Sequence, residues 1–302
     1  MRFRNGIRSL LTVTVLGIAI DAAQQTAETP QAPKSFVLAN DKLALTIDSN
    51  GARLSRVTMK DGAPMSPLAS MGHFLALDGF GAPSDAEASA GMPFHGEASH
   101  QTFRIVVSSD SAKSHLLTIQ ATLPLAQETL TRTAEIVDGE NLVYITSLLE
   151  STLSVDRPVS WAEHATIGPP YLEKGKVVVD MPATKCRVRP YKPGGIPGHL
   201  VYGKDFTWPM APVVGGGEAD IREIPTGHDW LDLASCEMDP GRRLAFVTAL
   251  HTEKHLLYGY VFRRMARGPE RRAPDRFSTT DEQNPRDQAR LVQAMNIVSG
   301  WS

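Results

Sequence analysis

The chain has 302 residues, a net charge of −2 and an apolar fraction of 42 %. That apolar fraction supports a substantial core and excludes a disordered chain. The near-neutral charge leaves no basic surplus for nucleic acid or an anionic membrane surface.

Residues 1–34 read as a secretory signal and polar spacer. "MRFRNGIRSL" carries three arginines, "LTVTVLGIAI" is an uncharged apolar run, and "DAAQQTAETPQAPK" supplies small residues near Ala22 and Ala23 and then a polar stretch. The apolar run is shorter than the roughly 20 residues of a spanning helix. The expectation is therefore export, periplasmic or secreted, with no stable membrane insertion after cleavage. The alternative is an uncleaved tethering helix.

From residue 35 the side chains alternate with period 2. "SFVLANDKLALTIDSNGARLSRVTMKDG" predicts two or three strands with a Ser-Asn-Gly turn at 49–51. Residues 79–93, "GFGAPSDAEASAGMP", form a long irregular loop that runs into His95. "HQTFRIVVSSDSAKSHLLTIQATLP" predicts two more strands, and "ETLTRTAEIVDGENLVYITSLLEST" a pair around Asp138-Gly139. Later strands are expected in "KVVVDMP", "KCRVRP", "IREIPT", "WLDLASCE", "RLAFVTAL" and "LLYGYVFRR". No βαβ alternation and no glycine-rich phosphate loop interrupts them. The prediction is one all-β domain over 35–263, a large antiparallel sandwich or barrel. Cys186 and Cys236, the two cysteines, form no framework and no metal-ligand spacing; a bridge and two buried thiols are both open. Residues 264–302 change character. "RRMARGPERRAPDRFSTT" is arginine-rich without apolar periodicity, and a short helix is expected at 286–297. The tail has the composition of disordered or poorly packed chain, and the break near residue 264 suits a disrupted reading frame.

Two histidine segments carry the candidate chemistry. In "GMPFHGEASH", His95 follows Pro93-Phe94 and precedes Gly96, a setting that fixes an imidazole while leaving it accessible. In "SWAEHATIGPPYL", His164 sits near the end of a strand stopped by Gly168-Pro169-Pro170. Glu163, adjacent to it, points to the opposite face of that strand and does not orient it. Each histidine can also be an ordinary hydrogen-bonded one. A metal site from His73, His95, His100 and Glu97 is the rival use, but the spacing matches no tight motif. No G-x-S-x-G elbow is present, and paired glycosidase carboxylates cannot be located from spacing. Trp161, Trp208 and Trp230 are candidate sugar-stacking rings or core residues. Asp229 and Asp232 are candidate hydroxyl acceptors or turn residues.

"NGARLSRV", "MPFHGEAS", "WAEHATIGPPYL" and, more weakly, "LLYGYVFRR" together resemble the galactose mutarotase-like superfamily, the aldose 1-epimerase family, over about residues 36–263. The resemblance implies a β-supersandwich and the interconversion of aldose anomers by acid/base catalysis, without metal or organic cofactor. It places the family's Pro-x-His-Gly histidine on His95 and its second histidine on His164. The family's base is a glutamate near the C-terminus; Glu282 is the nearest candidate, Glu270 a poorer one. Trp161, Trp208 and Asp229 become candidate substrate contacts, and a sugar or oligosaccharide the expected partner. The alternatives are a non-catalytic carbohydrate-binding protein on the same fold and a glycan hydrolase or lyase.

Overall fold

The computed structural model describes residues 34–61, 65–155, 157–189, 198–223, 232–263 and 295–299. Residues 1–33 of the secretory signal and spacer expected at 1–34, and all but 295–299 of the tail expected at 264–302, lie outside them. The architecture is all-β and antiparallel, as expected.

The first half of the domain is two sheets. One holds β1 (Ser35–Ala39), β2 (Leu43–Asp48), β3 (Leu54–Met59), β4 (Leu68–Leu77) and, later in the chain, β9 (Trp161–Ile167), in that order. The other is the meander of β5 (Arg104–Asp110), β6 (Ser114–Leu123), β7 (Glu128–Val137) and β8 (Tyr144–Ser151). β2 and β7 alternate buried and half-buried positions without a break, as period-2 patterning requires. Their inward residues, among them Leu45, Ile47, Leu75, Leu77, Ile119 and Leu130, form one core. β4 was not legible as a strand, because "MGHF" breaks the alternation at Gly72. There the chain takes a left-handed φ of +63°, and the register with β9 shifts.

The second half builds a separate core around Tyr171, Val188, Trp208 and Ala249. β10 (Val177–Asp180), β16 (Leu244–His251) and β17 (Leu256–Arg263) form one sheet. β11 (Ala183–Arg189) pairs with β12 (Asp205–Phe206) and β15 (Asp232–Met238), and β13 (Met210–Pro212) with β14 (Glu218–Asp220). "IREIPT" contributes an isolated bridge at Glu223, with its last residues outside the described ones. Cys186 and Cys236 face each other across β11 and β15 and are joined in a disulfide, so the two alternatives resolve in favour of a bridge. β18 (Met295–Ser299) pairs antiparallel with β15. Residues 295–297 of the helix expected at 286–297 are therefore extended instead, held by backbone pairing to β15. Among the described residues no helix is long and apolar enough to cross a membrane.

Candidate active site

β4 and β9 set the site by their register. Phe74 is opposite His164, Leu75 opposite Glu163 and His73 opposite Ala165. Because neighbours on a strand point to opposite faces, Phe74 and His164 share one face while His73 and Glu163 share the other. The Phe74 and His164 rings stack, with centroids 4.6 Å apart and 23° between their planes.

His95 reaches the same face from the loop between β4 and β5. That loop begins with Asp78, Gly79, Phe80 and Gly81. It then forms a short helix, α1 (Asp85–Ser89), whose capping box joins Ser84 and Glu87. It returns through Pro93 and Phe94. His95 has φ +66°, a left-handed conformation uncommon for a residue with a side chain. Gly96 follows at φ +79°, where a Cβ would lie 1.8 Å from the Leu77 carbonyl oxygen. Only glycine lets the loop lie this close to the end of β4. The turn residue Glu97 is buried. Its carboxylate accepts from the backbone N–H groups of Leu125 and Ala126, at 3.0–3.1 Å, and from the Gln101 amide at 3.2 Å. It pins the loop to the β6–β7 turn.

The result is that the two imidazoles meet, with centroids 5.6 Å apart. Phe74 is the buried floor beneath both, 5.2 Å from the His95 ring. Phe80 lies 5.1 Å from His95 and 5.4 Å from His164, and Phe94 lies 4.1 Å from His95. Phe80 and Phe94 are 45 % and 55 % exposed, so the rim of the pair is aromatic and open to solvent. Burial lowers the pKa of both histidines. A charge on His95 lowers His164 further, and His100 acts in the same sense on His95. Both rings are therefore neutral around pH 7. The Gly81 N–H donates to His95 Nδ1 at 3.1 Å, and the Thr166 hydroxyl lies 3.4 Å from His164 Nδ1. Two neutral imidazoles beside exposed aromatic rings can bind an uncharged polar ring and exchange protons with it.

The remaining sequence candidates are placed elsewhere. Trp161 is 8 % exposed in the first core, two residues before Glu163 on the same face, and its indole N–H donates to Glu163 at 3.3 Å. Strand alternation thus turns it away from the histidine pair, which corrects its reading as a substrate contact. Trp208 is 9 % exposed in the second core, and its indole N–H donates to Asp180 at 3.1 Å. Filling that core, it too is corrected. Asp232 spends both carboxylate oxygens on the backbone N–H groups of His199 and Leu200. Asp229, Trp230, Glu270 and Glu282 lie outside the described residues. His73 is turned to Glu163, Glu97 to the β6–β7 turn, and His100 Nδ1 to the Ser99 hydroxyl at 2.9 Å, so the rival metal grouping is dispersed. The aromatic residues around the pair, Phe74, Phe80 and Phe94, were missed by sequence reading. Their signal was present: each phenylalanine lies beside a histidine or between glycines, in "GHF", "GFG" and "PFHG".

No protein-family model matches the chain, and no curated protein matches it. Among solved structures, it is similar to a galactose mutarotase-like protein from Lactobacillus casei. The identity is 13 % and the TM-score 0.39, over 72 % of this chain and 79 % of that one. It is also similar to a galactose mutarotase related enzyme from Lactobacillus acidophilus, with 11 % identity and a TM-score of 0.39 over 75 % and 84 % of the two chains. A third similar structure is the Slr1438 protein from Synechocystis, at 13 % identity and a TM-score of 0.40 over 76 % and 85 %. The first two carry the name of the group that the histidine segments resemble. These likenesses carry no chemistry over to this chain.

Proposed function

We propose that the His95–His164 pair binds an aldose, free or at the end of an oligosaccharide, and interconverts its anomers. The observation that supports this best is the 5.6 Å approach of two imidazoles, one from a left-handed loop position and one from a strand, under an exposed aromatic rim. In the reaction a base takes the proton of the anomeric hydroxyl while an acid protonates the ring oxygen. The ring opens, C1 rotates and the steps reverse, so no proton is gained or lost overall. His164 supplies the proton to the ring oxygen, and His95 polarises the sugar by donating a hydrogen bond. His164 is neutral around pH 7 and acts through its minor protonated form, which the lowered pKa makes the more acidic. Glu282 remains the candidate base. An exported location is part of the proposal, supported by residues 1–34 and compatible with the Cys186–Cys236 bridge.

The test is polarimetric relaxation of freshly dissolved α-glucose or α-galactose. Acceleration by the protein, lost in His95→Ala and in His164→Ala, is the expected result. A rate equal to the buffer blank overturns catalysis. A second reading, sugar binding without turnover, is favoured by one feature: the composition breaks near residue 264, which leaves Glu282 in a poor context for a base. Calorimetric sugar binding with no faster mutarotation selects it.

A further inference from the structure

His95 and Gly81 hold each other by two hydrogen bonds. The His95 backbone N–H donates to the Gly81 carbonyl at 2.9 Å, and the Gly81 N–H donates to His95 Nδ1 at 3.1 Å. A backbone amide can only donate, so Nδ1 must accept. A neutral imidazole that accepts at Nδ1 carries its proton on Nε2. We propose that the segment Gly79–Phe80–Gly81 is a tautomer lock that fixes His95 as an Nε2–H donor, which makes Gly81 a positioning residue for the oxygen of an uncharged sugar. The identity of that ligand rests on the function proposed above; the tautomer does not.

Packing holds the lock closed. A half-turn of the imidazole would replace Nδ1 by a C–H against the Gly81 amide and forfeit the bond. Phe74, Phe80 and Phe94 crowd the ring from three sides at 4.1–5.2 Å. Phe80 belongs to the locking segment and also touches His164, so the segment spans the pair. Gly81 has φ +96° and open space at its Cβ position; glycine is needed there for conformation, not room. The lock also opposes protonation, because an Nδ1–H would point at the Gly81 N–H. His95 therefore polarises its partner by donation from Nε2 and does not ferry a proton. A neutral donor suits a hydroxyl or ring oxygen, whereas a phosphate or uronate would call for a cation. The principal charges acting on the pair, among the described residues, are those of other imidazoles.

Nitrogen NMR of the isotope-labelled full-length protein, without sugar and above the imidazole titration range, tests the lock. Signals of His95 are assigned by their loss in His95→Gln. The expected result is one tautomer, with a pyridine-like Nδ1, a pyrrole-like Nε2 and scalar coupling between the Gly81 amide nitrogen and Nδ1. In Phe80→Ala, which frees the segment, the signals are expected to move toward the mixture seen for solvent-exposed histidines. A protonated Nδ1 or mixed tautomers in the wild type would overturn the proposal, as would an unchanged single tautomer in Phe80→Ala. No sugar is present, so failed mutarotation leaves this result standing and a failed lock leaves the polarimetry to be judged separately.

Discussion

Glu163 and His164 are consecutive in the chain and face opposite sides of β9. His164 stacks on Phe74 at the open face. Glu163 lies inside, 2.7 Å from His73 Nε2, 3.2 Å from Arg132 and 3.3 Å from the Trp161 indole nitrogen. The histidine is thus backed by a charged network one strand-thickness away.

Breaking that network is expected to cost stability before it touches the site. Burial pushes the Glu163 carboxyl up, but Arg132 and His73 outweigh it and bring the pKa down to about 2. Glu163→Gln strands the Arg132 guanidinium, which is itself buried. The expected loss is about 3–5 kcal/mol, read by urea denaturation at pH 7. Because the folded pKa lies below the unfolded one, the contribution is full above pH ~5 and fades as pH falls toward 2. The wild type and Glu163→Gln should therefore converge in stability on acidification.

Gly96→Ala is expected to displace His95. The added Cβ would meet the Leu77 carbonyl oxygen, and φ +79° is strained for alanine. A destabilisation above about 2 kcal/mol is expected, together with loss of the single His95 tautomer. Gly139→Ala, at a turn with φ +82° and open space, should cost only the strain, about 1 kcal/mol. Thermal melts of the two variants compare a steric clash with conformation alone.

Beneath the loop, Arg157 bridges Asp78, at 2.6 Å, and the buried Glu128. Burial pushes the Glu128 carboxyl up to about 7, against the pull of Arg157. A carboxyl whose folded pKa exceeds its unfolded one destabilises the fold as it ionises. Stability should therefore fall between pH ~4.5 and ~7 with a slope near ~1.4 kcal/mol per pH unit from this group. Glu128→Gln should flatten that slope in denaturation curves taken across the window.

The Cys186–Cys236 bridge closes a loop of sequence separation 50 inside the second core. Replacing both cysteines with alanine is expected to cost about 2–4 kcal/mol. The histidine pair belongs to the other half of the domain. Its tautomer, and the proposed mutarotation if polarimetry detects it in the wild type, should survive at temperatures where the variant stays folded, which denaturation and polarimetry on one sample will show.

Most of the fold was legible where period-2 runs are long. β2 and β7 alternate without a break, β6 alternates from Leu117 onward, and Asp138-Gly139 marks the turn after β7. β4 was hidden because a left-handed Gly72 splits its pattern, and β12 to β14 are too short for a period to register. In the site, the histidines were legible because Pro93, Gly96 and Gly168-Pro169-Pro170 frame them. The tryptophans misled, because an aromatic side chain has the same appearance in a sequence whether it fills a core or lines a pocket. The side of β9 that each residue occupies decided the matter, as it did for Trp161 against His164. The Gly81 contact could not be read at all: a backbone amide leaves no mark on residue identity.

The imidazoles of His95 and His164 are coupled through their charges. Burial lowers both imidazole pKa values, and His164 is lowered further by His95. Removing that second charge in His95→Gln should raise the His164 pKa toward the ordinary imidazole range, as proton NMR titration will show; an unchanged or lower value would deny the coupling. Depressed folded values make protonation oppose folding, so the pair contributes a loss of stability as pH falls through about 6.5, opposite in sign to the Glu128 contribution and levelling off below the folded pKa. His95→Gln should lose less over the same range, having one depressed histidine fewer and a relaxed partner. If the pair also turns over sugar, mutarotation should fall over that acidic window as well, because the locked His95 must stay neutral to keep its Nδ1 on Gly81. The wild type would then lose its rate over this window, and His95→Gln would lack the rate and lose less of the pair's contribution to stability.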